Sequence, residues 1–276
     1  MLAALTQTLR QPRLLLLLYG LTLLLALPPT LGLFGAINTE FDRSLAPLTL
    51  LDGFDYTVFS DFINHHSGAI WPLLRTGWYV ALVYLLTTIW TTGGVLSSFM
   101  TDYRAASFWQ SATYYFGRNA RLFGVTLLFA LPLLVGSLLV GSLLVIATED
   151  TLTERGIAFI CLGVLVIFLL LLALLFCVAN YAKVILFRTD DAVAFRAFGV
   201  AGRFVLANLL ATFGPYLLIL AVGGALLALY FLIEAALPTR NWLMIGLLTL
   251  VQQAVVLGRI TLKIWALRVA FDQVKR

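Results

Sequence analysis

Two sets of side chains in this sequence have the types and spacing to do chemistry. Asp61 and His65 stand at i and i+4 in YTVFSDFINHH, a stretch with helical periodicity. A carboxylate and an imidazole at that spacing can share a metal ion or form an oriented acid–base pair. The adjacent His66 leaves a helix in another direction, so the motif offers two ligands, and a solvated polar face is the competing reading. The second set is Thr87 and Thr91 with Gln252 and Gln253, all inside long apolar runs. Polar groups at membrane depth could line a path for a small or amphiphilic solute, or tie helices together by hydrogen bonds. Gln252 shares a helical face with Arg259 and Lys263, two cations read as anchors that reach back to the membrane surface.

Other chemistry is not signalled. The sequence has no Gly-rich phosphate loop, no HExxH and no GxSxG, and its apolar runs contain no central Asp or Glu to relay protons. No cofactor and no metal site is expected. Cys161 and Cys177 fall in one apolar run, about 24 Å apart if helical, too far to pair with each other.

The elements that must position these residues are membrane spans. Of the 276 residues 62% are hydrophobic and only 11% charged, with a mean hydropathy of +1.00. That is far from the balance of a soluble domain. The apolar runs are long enough to cross about 30 Å of hydrocarbon as helices. The expected fold is an all-α polytopic bundle in a single membrane domain, with spans near 14–34, 78–100, 122–146, 157–181, 209–233 and 242–265. The first run is read as a retained helix rather than a signal core, kinked or ended by Pro28 and Pro29. Residues 35–76 form one long acidic outer loop, carrying the helix with Asp61 and His65.

Between spans lie two basic amphipathic stretches, TDYRAASFWQSATYYFGRNAR (101–121) and residues 189–208, read as cytoplasmic elbows. In the second span Thr87, Thr91, Gly94 and Ser98 share a face, as do small residues around Gly136 and Gly141 in the third, and such strips let helices approach closely. All Lys and Arg except Arg43, Arg75, Arg155 and Arg240 fall on one side of this topology. That bias predicts both termini in the cytoplasm and a place in the inner membrane. The net charge of +5 is read as facing anionic lipid, with no nucleic acid partner.

TDYRAASF (101–108), TDDAVAF (189–195) and WALRVAFDQ (265–273) also suggest a hairpin repeated along the chain. Six spans with basic elbows, as in YYFGRNARLF and FGVAGRFVLAN, resemble a loose group of uncharacterised bacterial integral membrane proteins, including the membrane domain attached to some glycerophosphodiester phosphodiesterases. The resemblance implies a membrane bundle. It implies no catalytic residue, because the soluble phosphodiesterase barrel has no counterpart in the sequence. The expected function is a non-enzymatic scaffold or accessory subunit, with the bilayer and a membrane protein or a second copy as partners. The alternatives are a carrier or channel using Thr87, Thr91, Gln252 and Gln253, and a lipid-head-group enzyme using Asp61 and His65.

Overall fold

A computed structural model describes residues 1–41, 56, 60, 67–100, 103–148, 151–190, 192–237 and 242–274. Eight helices can be followed: α1 (Leu2–Leu9), α2 (Pro12–Phe41), α3 (Ser67–Met100), α4 (Ala105–Thr148), α5 (Glu154–Thr189), α6 (Ala194–Ala207), α7 (Leu209–Ala236) and α8 (Trp242–Val274). No strand occurs among the described residues. Six of the helices contain stretches long and apolar enough to cross a membrane: α2, α3, α4, α5, α7 and α8. The expected all-α bundle with six spans is therefore what forms. The chain divides into two units, Met1–Leu15 with Ile89–Arg276, and Leu16–Thr88.

In the larger unit, the first basic stretch is not a separate element. Residues 105–121 run on into the third span as α4, 44 residues long, or about 66 Å at 1.5 Å per residue. Nothing between Trp109 and Arg121 breaks a helix strongly, since Gly117 alone costs only about 1 kcal/mol. The second stretch does separate. It forms the amphipathic α6, which ends at Asn208 in a non-helical conformation (φ −126°, ψ 46°) before α7 begins. α6 packs along α5, where Tyr181 meets Phe204 with ring centroids 5.7 Å apart, and α7 follows against α5, the Cys177 thiol donating to the Thr212 carbonyl at 3.8 Å.

Close helix approach has a clear cause where α3 meets α4. A Cβ on Gly94 would lie 2.7 Å from two ring carbons of Phe108 and 2.8 Å from its carbonyl oxygen. At Gly93 it would lie 2.7 Å from the Ser111 carbonyl oxygen. Trp90 stacks on Trp109 at 4.9 Å beside them. The short α1 packs on α7 and α8, with Ala4 among Ile219, Trp265 and Val269 and the Trp265 indole donating to the Met1 carbonyl at 3.2 Å.

The smaller unit contributes the apolar lengths of α2 and α3. Pro28 and Pro29 lie inside α2 and do not end it. The Thr30 hydroxyl donates to Ala26 O at 2.7 Å and lies 2.9 Å from Leu27 O, the bond to the preceding turn that threonines make within helices.

Candidate functional site

Thr91 and Gln252 engage different neighbours. Thr91 is buried, as are Thr92 and Ser98 on the same stretch of α3. The Ser98 hydroxyl bonds the Gly94 carbonyl at 2.8 Å, and the Gln11 amide reaches the Ser98 carbonyl at 2.9 Å. Gln252 instead donates to the Tyr230 hydroxyl at 3.1 Å, tying α8 to α7. Phe99 of α3 and Phe271 of α8 touch at 5.6 Å, which gives a common reference point. Measured along the two helices from that contact, Gln252 lies about 16 Å further away than Thr91. Thr87 belongs to the smaller unit. Thr87, Thr91 and Gln253 each have further interactions. Asp61 and His65 lie outside the described residues.

The small-residue strip of α4 packs at one point. Gly141 faces Val164 of α5, while the half-buried Ser137 and the exposed Ser142 bond carbonyls of their own helix. Cys161 is exposed, Cys177 is buried, and both are free.

What the structure does assemble is a polar and aromatic lattice at the basic end of the larger unit. Asp190 caps α5 in the left-handed region (φ 51°), which Asp tolerates better than most residues. In that position its carboxylate pairs with Arg118 of α4 and accepts from Tyr114 and Tyr115, each at 3.2 Å. Hydrogen bonding to Arg118 is the main reason the Asp190 carboxyl is held below its ordinary pKa. Arg118 also lies over the Tyr114 ring at 4.8 Å.

A second assembly joins α3, α5 and α8. Arg188 lies 4.1 Å from the centre of the Phe271 ring and donates to the Phe271 carbonyl at 2.7 Å. Arg268 lies 4.8 Å from the Phe99 ring and donates to Gln7 at 2.9 Å. Two guanidinium groups thus flank the Phe99–Phe271 pair. Nε of Arg188, and Nε and Nη1 of Arg268, are buried without hydrogen-bond partners, so the aromatic faces supply much of their compensation. Nearby the Tyr181 hydroxyl donates to Gln273, whose amide donates to Ala211 O at 2.9 Å. A cleft of about 480 Å³ lies beside this lattice, lined by residues that include Gln7, Pro215, Asp272 and Gln273.

Asp190 was hidden in the sequence because its partner Arg118 is far away along the chain. Its one local signal is the Thr-Asp pair that ends an apolar run, as at 101–102. The Arg268–Phe271 spacing is compatible with a shared helix face, but Phe99 and Arg188 come from other helices. The two assemblies link α4 to α5 and α3 to α5 and α8.

Fold and site together define a class, a helical protein with six membrane-length apolar helices, as expected of a multi-pass integral membrane protein. Comparison with protein families, curated proteins and solved structures finds no match to this chain.

Proposed function

We propose that the chain is a non-enzymatic integral membrane protein acting as a scaffold or accessory subunit of a membrane complex. The observation that carries this reading is the engagement of the mid-span polar residues in helix packing, with Thr91, Thr92 and Ser98 buried beside Gly93 and Gly94 and Gln252 bonded to Tyr230. A carrier would keep such groups available to a solute. The broad exposed apolar surfaces of α4, α5, α7 and α8 suit lipid or another membrane protein, including a second copy. The Lys and Arg distribution supports the cytoplasmic membrane, with the basic end and both termini on the cytoplasmic side.

The test is aqueous access. Single cysteines replace Thr91, Gln252 and Gln253 in a background lacking Cys161 and Cys177, and a membrane-impermeant thiol reagent is applied from each side. The expected result is no labelling at these positions while a cysteine at Arg203, exposed on α6, labels from the cytoplasmic side. Labelling at Thr91 or Gln252 would overturn the scaffold reading in favour of a carrier.

A further inference from the structure

The cations of the lattice are compensated. Arg118 has Asp190, Arg188 and Arg268 have aromatic faces and carbonyl or amide oxygens, and the charge of Asp272 acts on Arg268. Lys183, Arg259 and Lys263 form a different group. The Lys183 ammonium donates to the neutral Asn180 amide oxygen at 3.2 Å. Lys263 lies within electrostatic reach of both Lys183 and Arg259, and all three carry the same sign. Neither Lys183 nor Lys263 forms an ion pair with a carboxylate among the described residues. Arg259 and Lys263 are exposed and Lys183 is half-buried, so an anion can reach all three and offset the repulsion among them.

Their placement is specific. Asn180 of α5 and Ala266 of α8 line one narrow space between α5, α7 and α8. Lys183 stands one turn after Asn180, and Lys263 and Arg259 stand on the turns before Ala266, so the cations flank the seam of α5 and α8. On the α5 face below Lys183, at helical spacing, Phe176, Leu169 and Leu165 are 44%, 51% and 50% exposed. Lys183 thus stands above an open apolar track, with Lys263 and Arg259 on successive turns of α8 beside its upper end. A free inorganic anion would use the cations alone, whereas an amphiphile uses both cations and track.

We propose that Lys183, Arg259 and Lys263 hold the phosphate of an anionic phospholipid at the seam of α5 and α8, with an acyl chain along Phe176, Leu169 and Leu165. Basic seams between membrane helices at the cytoplasmic surface suit such head groups. The site stands whether the chain is a scaffold or a carrier.

The test uses the full chain in nanodiscs of mixed phosphatidylcholine and phosphatidylglycerol, with retained lipid counted by native mass spectrometry. The wild type is expected to retain phosphatidylglycerol over phosphatidylcholine. The triple variant Lys183→Gln, Arg259→Gln, Lys263→Gln should lose that preference, each charge contributing roughly fivefold. A charge-matched control, Arg10→Gln, Arg121→Gln, Arg203→Gln, removes exposed cations elsewhere and should keep it. Lys263→Arg preserves charge and should retain lipid, and Lys263→Gln alone should show the partial loss if the triple variant does not fold. Equal loss in site and control variants would overturn the proposal, as would unchanged retention in the site variants. Displacement of the lipid by inorganic phosphate at equal concentration would also overturn it, because the acyl track would then contribute nothing.

Discussion

The larger unit contains two regions built on opposite terms, and each long helix passes from one to the other. In α4 the buried residues are Phe108, Ala112, Asn119, Leu122 and Thr126, after which Leu128, Leu138 and Leu143 stand exposed. In α5 the order reverses, with Phe159 to Leu171 largely exposed and Cys177 to Leu186 largely packed. α8 likewise exposes Leu243 and Leu250 and buries Ile260, Ile264, Trp265 and Phe271. The most apolar parts of the chain are therefore its least buried parts. For a soluble protein this would be contradictory. In a bilayer it follows, because lipid tails are as apolar as leucine and burying one leucine against another gains little. Cohesion has to come from elsewhere, and here it comes from close packing, aromatic contacts and charge at the basic end.

This contrast breaks most readily at Gly94. Adding a methyl group there drives Cβ into the Phe108 ring and backbone, and overpacking of this kind costs about 1–3 kcal/mol. Gly136, in the apolar length of α4, meets nothing within 4 Å. Gly94→Ala is expected to lower stability in detergent-titrated unfolding by that amount, while Gly136→Ala changes it by less than about 0.5 kcal/mol. Equal effects would mean that the apolar lengths pack as tightly as the basic end.

The two regions were also unequally legible in the sequence. Apolar length alone identifies the spans, because a run such as Ile157 to Tyr181 has no other stable use. The strip of Thr91, Gly94 and Ser98 was readable as a packing seam for the same reason that it packs: small residues admit a neighbouring backbone. The basic end was not readable in this way. Arg118 and Arg121 suggested a surface elbow, yet no residue there interrupts α4, and local propensity carried the helix through. Asp190 gains its meaning from a residue on another helix, and so does Gln252, whose partner Tyr230 no periodicity could name. Side-chain chemistry between helices depends on their relative rotation, which a single chain's pattern does not contain.

A smaller effect sharpens the comparison by testing whether the arginine–aromatic assembly acts as a unit. Arg188 and Phe271 are joined both through the ring face and through the carbonyl hydrogen bond. A double-mutant cycle with Arg188→Gln and Phe271→Leu should show a coupling of about 0.5–2 kcal/mol, the range for a cation over an aromatic face. The same cycle between Arg188 and Leu143, in the apolar length of α4, should be additive. Additivity at Phe271 as well would reduce the assembly to coincident neighbours, and the basic end would owe its cohesion to packing alone.

The smallest effect is electrostatic, and its sign can be worked out. The Asp190 carboxyl is held below its ordinary pKa by Arg118, with Tyr115 and Tyr114 also donating to it. A depressed carboxyl binds its proton less readily in the folded state than in the unfolded one. Its contribution is therefore complete above the ordinary Asp range and is lost as pH falls through the lowered value. Because Asp190 is exposed, solvent screens the pair and the contribution is small. Asp190→Asn keeps a residue that tolerates the left-handed conformation and removes only the charge. The melting temperatures of wild type and variant should differ modestly at neutral pH and converge in acid. Parallel curves across that range would show that Asp190 acts as a helix cap without electrostatic help, leaving the aromatic contacts and the glycine seam to hold the basic end.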